Sequence, residues 1–352
     1  MTKTYLVGFI GGSIYSAVGK THKIALELDR KFKVVAGCFS LNKEENESTG
    51  KEYQIEKSRV YSNHNLLLSN EKGKLDLIVI LSPTNLHKEH VLQALQHGYK
   101  VVCEKALACN LKEANEIQKQ LNNNLGFLKV IYNYQGYPMV RELKELIKGN
   151  KLGKIQQIFA EMPQEGFERV QKNNDPIIPQ NWRLKDGDIP VISLDLGVHL
   201  HMLIKYLSQE KPICLSAISS TYGNFKNIID NVNCICKYTN DVNVSLWFGK
   251  TALGIRNGLK IRIFGSKGSA EWIQEDPEKL KFSDCFGNIS ILDRGSPTLK
   301  IANQNRYQRF KPGHPSGFIE AFSNYYVDIA ESLDYFIEFN KHNVNEECFG
   351  IE

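Results

Sequence analysis

The first stretch of about 135 residues alternates short β-rich runs with helical patterns, and no other feature narrows the fold as far. Such alternation builds a parallel, doubly wound sheet with helices on both faces. Tyr5–Ile10 is a continuous apolar run of the kind buried on both sides. Phe32–Phe39 reads as a second strand, and Asp76–Leu81 as the strongest strand in the chain. Lys100–Cys103 and Val130–Tyr134 complete the series. The intervening helices place Ile24, Ala25 and Leu28 on one side, then Val91, Leu92 and Leu95, then Leu111, Ala114, Ile117 and Leu121.

Past this region the pattern changes. A helix from Pro138 to about Lys148 presents Val140, Leu143 and Ile147, and Gly149 ends it. Ile155–Ala160, Val232–Tyr238, Val242–Phe248, Leu259–Phe264 and Ala270–Ile273 read as strands, several joined by Gly or Asn-Asp turns. The alternation around Val242, Val244, Leu246 and Phe248 predicts a sheet with one covered and one open face. A final amphipathic helix is expected from about Phe318 to Phe336, with Phe322, Ile329 and Leu333 on its stripe. At 352 residues the chain exceeds a single typical core, so two domains are expected, 1–130 and 131–352, joined by a short packed connection.

A hydrophobic content of 42% and a charged content of 24% argue against disorder. The net charge of +5 is modest and the lysines are scattered among acids, so no nucleic-acid partner is indicated. No segment approaches the roughly 20 apolar residues of a membrane span. The opening Met1–Lys3 runs straight into Tyr5–Ile10, too short for a secretory signal, so a cytoplasmic location is expected. The eight cysteines show no metal spacing. Cys234 and Cys236 share a strand face with Val232 and Tyr238, which reads as buried thiols, with a zinc or disulfide site as the alternative.

The first strand runs into Gly8-Phe-Ile-Gly11-Gly12-Ser-Ile-Tyr-Ser-Ala-Val-Gly19, and a helix follows. A dinucleotide needs this arrangement: glycine lets the backbone approach the pyrophosphate, and the helix start offers free N–H groups. The usual G-x-G-x-x-G is not met literally, since Ser13 stands at the second glycine and Gly19 comes late. The second strand ends Gly37-Cys-Phe-Ser40-Leu-Asn-Lys43. Ser40 carries no charge to repel a 2′-phosphate and Lys43 would attract one, whereas Glu44 and Glu45 point the other way. The choice between NAD and NADP stays open at this point.

Further motifs are Leu81-Ser-Pro-Thr-Asn-Leu-His87, Val102-Cys-Glu104-Lys105-Ala106 and Asp195-Leu-Gly197-Val-His199. With Tyr132–Arg141, Gly265-Ser-Lys-Gly268 and Gly313–Phe322 they resemble the Gfo/Idh/MocA oxidoreductases along essentially the whole chain. The resemblance implies an α/β Rossmann domain followed by an α+β domain with a large, mostly antiparallel open sheet. That second domain would bind substrate and form homodimers or homotetramers. The family acts mostly on hydroxyl or carbonyl carbons of sugars, sugar derivatives and cyclitols. On the matching motifs, Gly11, Gly12 and Ser13 would contact the pyrophosphate and Ser40 the adenosine end. Pro83, Asn85 and His87 would line the nicotinamide side, with Glu104 and Lys105 below it. Lys105, Asp195 and His199 map onto the polar groups around the reacting carbon. The family usually reads Glu-Lys-Pro, often with a cis peptide before that proline, so Ala106 suggests altered local geometry. Met202 replaces an acid often found after the histidine.

Hydride transfer at a carbinol carbon also moves a proton, which a base with a pKa near working pH does best. His199 is the first choice for that role, Lys105 would bond the same oxygen or take the proton itself, and Asp195 would orient the pair. If the stretch is helical, a spacing of four puts Asp195 and His199 on one face. Each has a plainer alternative: a strand-end lysine, a backbone-bonded histidine, a helix N-cap. His87 and His90 read as a surface helix end, and His314 as loop-shaping or reaching a substrate hydroxyl. Trp182 and Arg183 would form a pocket wall or simply pack. His199 and His201 lack a further ligand at metal spacing, so no metal is expected. The leading reading is an NAD(P)-dependent sugar or cyclitol dehydrogenase. A hydrolase or lyase using transient oxidation, and a dinucleotide-binding sensor without turnover, are the alternatives.

Overall fold

A computed structural model describes residues 3–342 and 347–351. The chain divides into two compact units, residues 1–136 with 318–352, and residues 137–317.

In the first unit a five-stranded parallel sheet has the order β2-β1-β3-β4-β5. Its strands are β1 (Tyr5–Gly11), β2 (Phe32–Cys38), β3 (Leu77–Leu81), β4 (Lys100–Cys103) and β5 (Leu128–Val130). Every residue of β3 is buried, as its unbroken apolar run requires of a strand covered on both faces. The helices between strands are α1 (Gly19–Leu28), α2 (Lys43–Glu52), α3 (His64–Asn70), α4 (Thr84–Gln96) and α5 (Leu111–Asn124). Asn42, Asn63 and Asn110 cap α2, α3 and α5 by accepting a backbone N–H from the first turn. The strand order reverses between β1 and β3, and open α/β sheets bind ligands in the crevice beyond the strand ends at such a point.

Several expectations are corrected in this unit. The apolar side assigned to α1 holds at Ala25 and fails at Ile24 and Leu28, which are exposed, while His22 and Leu26 are buried. Leu111 is likewise exposed, whereas Ile117 and Leu121 join the core. The fifth strand stops at Val130, and Asn133–Gly136 is a buried 3-10 turn instead. A Cβ at Gly136 would lie 1.9 Å from the Ala321 carbonyl oxygen, so only glycine lets these backbones meet.

The C-terminal helix α8 (Phe318–Phe339) belongs to the first unit, not to the second as the 131–352 division supposed. The physical reason is its polar-tipped aromatic face. The Tyr325 hydroxyl donates to the Val130 carbonyl at 2.8 Å, Tyr326 meets His22 at 2.7 Å, and Ser323 donates to Asp29 at 2.6 Å. Tyr5 donates its hydroxyl to Asp334 of the same helix.

The second unit holds α6 (Pro138–Lys148), α7 (Val198–Ser208) and an eight-stranded sheet of order β13-β12-β11-β10-β6-β9-β8-β7. Its strands are β6 (Ile155–Pro163), β7 (Pro212–Ser220), β8 (Asn231–Tyr238), β9 (Asn243–Gly249), β10 (Lys260–Gly265), β11 (Gly268–Ile273), β12 (Lys279–Asp284) and β13 (Ile289–Asp293). The β6–β9 pair is parallel and the other pairs are antiparallel. Asn240 and Asp241, both at positive φ, make the turn between β8 and β9. Along β8 the residues Val232, Cys234, Cys236 and Tyr238 are buried, while Asn233 and Ile235 are exposed, which is the anticipated covered-and-open sheet. The two thiols share a hydrogen bond at 3.3 Å and form no disulfide. Burial pushes Cys236 up to about 12. β7 and β13 meet solvent on both faces over most of their length, whereas β12 buries Leu280 between exposed Lys279 and Lys281.

Candidate functional site

The glycine turn sits at the end of β1. Gly11 and Gly12 adopt φ of 80° and 76°, where a side chain is strained. A Cβ at Gly11 would lie 2.7 Å from the Ser82 nitrogen, and one at Gly12 would lie 2.5 Å from a Leu81 methyl. Gly19, the late glycine of the motif, starts α1 against the turn, and a Cβ there would lie 2.3 Å from the Gly12 carbonyl oxygen. Three glycines thus bring strand end, turn and helix start together; the N-cap residue Val18 makes no side-chain cap, and the Ser16 hydroxyl accepts the Gly19 N–H at 2.9 Å. A glycine turn of this kind lets a pyrophosphate approach the backbone, so the residues present fit a dinucleotide.

Ser13 is buried, and its hydroxyl donates to Glu45 rather than pointing away from the fold. Ser40, just beyond β2, donates to the other oxygen of the same carboxylate at 3.1 Å. Pro83 is the N-cap residue of α4 and is exposed, as is Asn85 one residue into the helix.

His87 and His90 do not sit on a surface helix end, because both are buried. The two ring nitrogens of His87 each lie 2.7 Å from a backbone carbonyl, of Ala106 and of Ser82. His87 therefore braces the loop after β4. Burial holds its imidazole below the usual range, against the pull of those carbonyls. His90 takes a hydrogen bond with the Ser82 hydroxyl at 2.9 Å and is pushed down to about 4, chiefly by burial and then by neighbouring His64 and His87.

The loop after β4 carries Glu104 and Lys105, and the Lys105–Ala106 peptide is cis despite the missing proline. One Glu104 oxygen lies 2.9 Å from Nε2 of His22 and the other accepts the Lys105 backbone N–H at 3.0 Å. His22 Nδ1 meets the Tyr326 hydroxyl at 2.7 Å. A tautomer with the proton on Nε2 satisfies the set: His22 donates to Glu104 and accepts from Tyr326. Sequence reasoning missed His22. A histidine one turn into the helix after the glycine turn, on a face shared with Ala25 and Leu26, was the available signal.

In the second unit Asp195 lies in a π turn, Ser193–Gly197, that runs directly into α7. It is not an N-cap. Single π turns recur at functional sites because they re-aim side chains within a helix. A Cβ at Gly197 would lie 3.0 Å from the ring of Phe248, so the glycine lets β9 pack against this turn. Oδ2 of Asp195 accepts from Arg183 Nε at 3.1 Å and from Lys250 Nζ at 2.7 Å. Lys250, which follows β9, is buried and was not anticipated; a lysine just past a strand gives no sequence signal of burial. His199 is buried on the first turn of α7, and His201 lies on the exposed side. The Arg183 guanidinium stacks 4.5 Å from the Trp182 ring and donates to Gln180 at 2.7 Å, giving a half-buried planar surface. His314 is exposed, on a segment that buried Arg294 pins through the carbonyls of Tyr307, Phe310 and His314.

Comparison with known proteins agrees with both units. Residues 5–132 match the oxidoreductase family with an NAD-binding Rossmann fold, and residues 140–271 match the GFO/IDH/MocA C-terminal domain. An uncharacterised oxidoreductase of Bacillus subtilis is 27% identical over 92% of this chain and 84% of its own. Glucose-6-phosphate 3-dehydrogenase of the same organism is 27% identical over 82% of this chain and 79% of its own. Among solved structures, an inositol dehydrogenase homolog from Azotobacter vinelandii, complexed with NADH and myo-inositol, aligns with a TM-score of 0.88. It covers 97% of this chain and 88% of its own at 23% identity. The chain belongs to the GFO/IDH/MocA family of NAD-binding Rossmann-fold oxidoreductases.

Proposed function

We propose that the protein transfers a hydride between a nicotinamide cofactor and a hydroxyl or carbonyl carbon of a sugar, sugar derivative or cyclitol. The observation that carries this reading is the bare glycine turn of Gly11 and Gly12 in the same unit as the Glu104–Lys105 loop, braced by His22 and His87. The relatives named above, a sugar-phosphate dehydrogenase and an inositol dehydrogenase homolog, support the substrate class. When bound, the nicotinamide supplies the hydride acceptor or donor. The chain supplies the rest. His199 exchanges the hydroxyl proton, Lys105 donates to the reacting oxygen or takes the proton itself, and Asp195, held by Lys250 and Arg183, orients the polar groups. Trp182 and Arg183 form a wall for a hydroxylated ligand, and His314 reaches a substrate hydroxyl.

The test is formation of reduced cofactor with a panel of sugars, sugar phosphates and cyclitols. Cofactor retained through turnover with no net reduced dinucleotide would favour transient oxidation in a hydrolase or lyase. Tight binding with no turnover on any polyol would favour a sensor.

We also place the chain in the cytoplasm as a homo-oligomer. Free thiols at all eight cysteines support a reducing compartment. No helix among the described residues is long and apolar enough to cross a membrane. The open sheet face exposes Ile218 and Ile235 at 71% and 68%, which supports self-association there. Light scattering of the wild type and of Ile235→Glu decides it: a monomer in the wild type removes the proposal.

A further inference from the structure

The carboxylate of Glu45 touches two strand ends at once. Ser13 belongs to the turn after β1, Ser40 follows β2, and Glu45 takes a hydroxyl from each. In a sheet of this kind the pyrophosphate lies on the first turn and the adenosine ribose lies over the end of the second strand. A group bonded to both is therefore placed where the ribose hydroxyls must arrive. The strand itself ends in Cys38 and supplies no acid, so the carboxylate comes from the first turn of α2 instead.

Several of the backbone donors beyond β2 are engaged within the fold. Asn46 Oδ1 accepts the backbone N–H of Phe39 at 2.8 Å and of Ser40 at 3.4 Å. The Ser40 hydroxyl accepts from Asn42 at 3.1 Å, and Asn42 caps α2 by accepting from Glu45 at 3.0 Å. Lys43, the one residue in this segment that favours a phosphate, is exposed, and Glu44 beside it is equally exposed. Carboxylate oxygens accept hydrogen bonds from a vicinal diol and repel a phosphate dianion in the same place.

We infer that Glu45 reads the adenosine ribose and selects NAD over NADP. The inference rests on the dinucleotide reading above and adds the residue that sets the choice. Glu45 would exchange its bonds to Ser13 and Ser40 for the two ribose hydroxyls, and the serines would turn to the same ligand or to water.

The experiment is calorimetric titration of the full chain with NAD+ and with NADP+, for the wild type, Glu45→Gln and Glu45→Asp, with thermal unfolding as a check on folding. The wild type should prefer NAD+ by roughly tenfold or more, because juxtaposed like charges penalise the wrong partner. Glu45→Gln should shrink that preference by roughly tenfold, chiefly by strengthening NADP+, since the amide removes the repulsion and keeps the size. Glu45→Asp keeps the charge and should keep the preference. A wild type that binds NADP+ as well as NAD+, or a folded Glu45→Gln variant with an unchanged preference, overturns the role of Glu45 while leaving the dinucleotide site standing. Failure of the wild type to bind either dinucleotide overturns both.

Discussion

Lys250 places its ammonium 2.7 Å from Oδ2 of Asp195, and Arg183 reaches the same oxygen at 3.1 Å. The Asp195 and Lys250 side chains are 6% and 11% exposed, so this carboxylate depends on protein cations more than on water. Breaking such a pair leaves a buried charge behind, and Lys250→Met should lower stability by about 2–3 kcal/mol. Urea unfolding measures it. Lys250→Arg should recover much of the loss, and an unchanged midpoint in Lys250→Met would show that the other partners of Asp195, Arg183 among them, suffice.

Gly12→Asp should abolish dinucleotide binding. The new carboxylate would enter the space a pyrophosphate needs, at a φ of 76° and with its Cβ 2.5 Å from a Leu81 methyl. Circular dichroism establishes that the variant is folded. A folded variant that binds NAD as the wild type does removes the glycine-turn assignment.

Lys105→Ala should leave cofactor affinity within a few-fold while lowering kcat by roughly two to four orders of magnitude, the range for losing a positioned acid/base group. Steady-state kinetics alongside calorimetry separates the two. Persistent turnover would move the chemistry away from this loop.

His199→Asn keeps a donor but cannot accept a proton at accessible pH. If His199 exchanges the proton, kcat/KM for oxidation rises with pH through one ionisation in the wild type, and that limb flattens in the variant. A variant that is slower with the same pH profile would make His199 a substrate-positioning residue and leave Lys105 as the base.

His90 gives the first unit a dependence on pH that is separate from catalysis. Its folded pKa is depressed to about 4, below the unfolded value of about 6.5. Above the unfolded pKa neither state is protonated and the contribution is complete. As pH falls the unfolded chain takes up the proton first, so stability is lost from about 6.5 down toward about 4. Between about pH 7.5 and 5 this amounts to about 2 kcal/mol for a single group. Urea unfolding at those two pH values should show His90→Gln losing less than the wild type. Equal losses would locate the acid sensitivity elsewhere.

The glycine turn and the Glu104-Lys105 loop were legible in the sequence because they are local. A strand followed by glycines and a helix has few other conformations, and the apolar run of β3 cannot be solvated. Periodicity likewise announced the buried face of β8, where Cys234 and Cys236 alternate with exposed residues. It failed on α1, whose buried side is chosen by what packs on it. Ile24 and Leu28 are the more apolar side chains, yet polar His22 goes inside because Glu104 and Tyr326 satisfy both of its nitrogens.

By itself the sequence determined the first four strands of the first unit, the helix that closes it and the glycine turn after β1. Tertiary structure alone decided the long-range polar pairs. The return of α8 to the first unit, the Lys250 contact with Asp195 and the Glu45 link between Ser13 and Ser40 join residues 32 to more than 300 positions apart or on separate elements. A charged or polar side chain carries no periodic signature of burial. Whether it goes inside depends on a partner whose position only the folded chain supplies, because an unpaired buried charge costs several kcal/mol and a paired one far less.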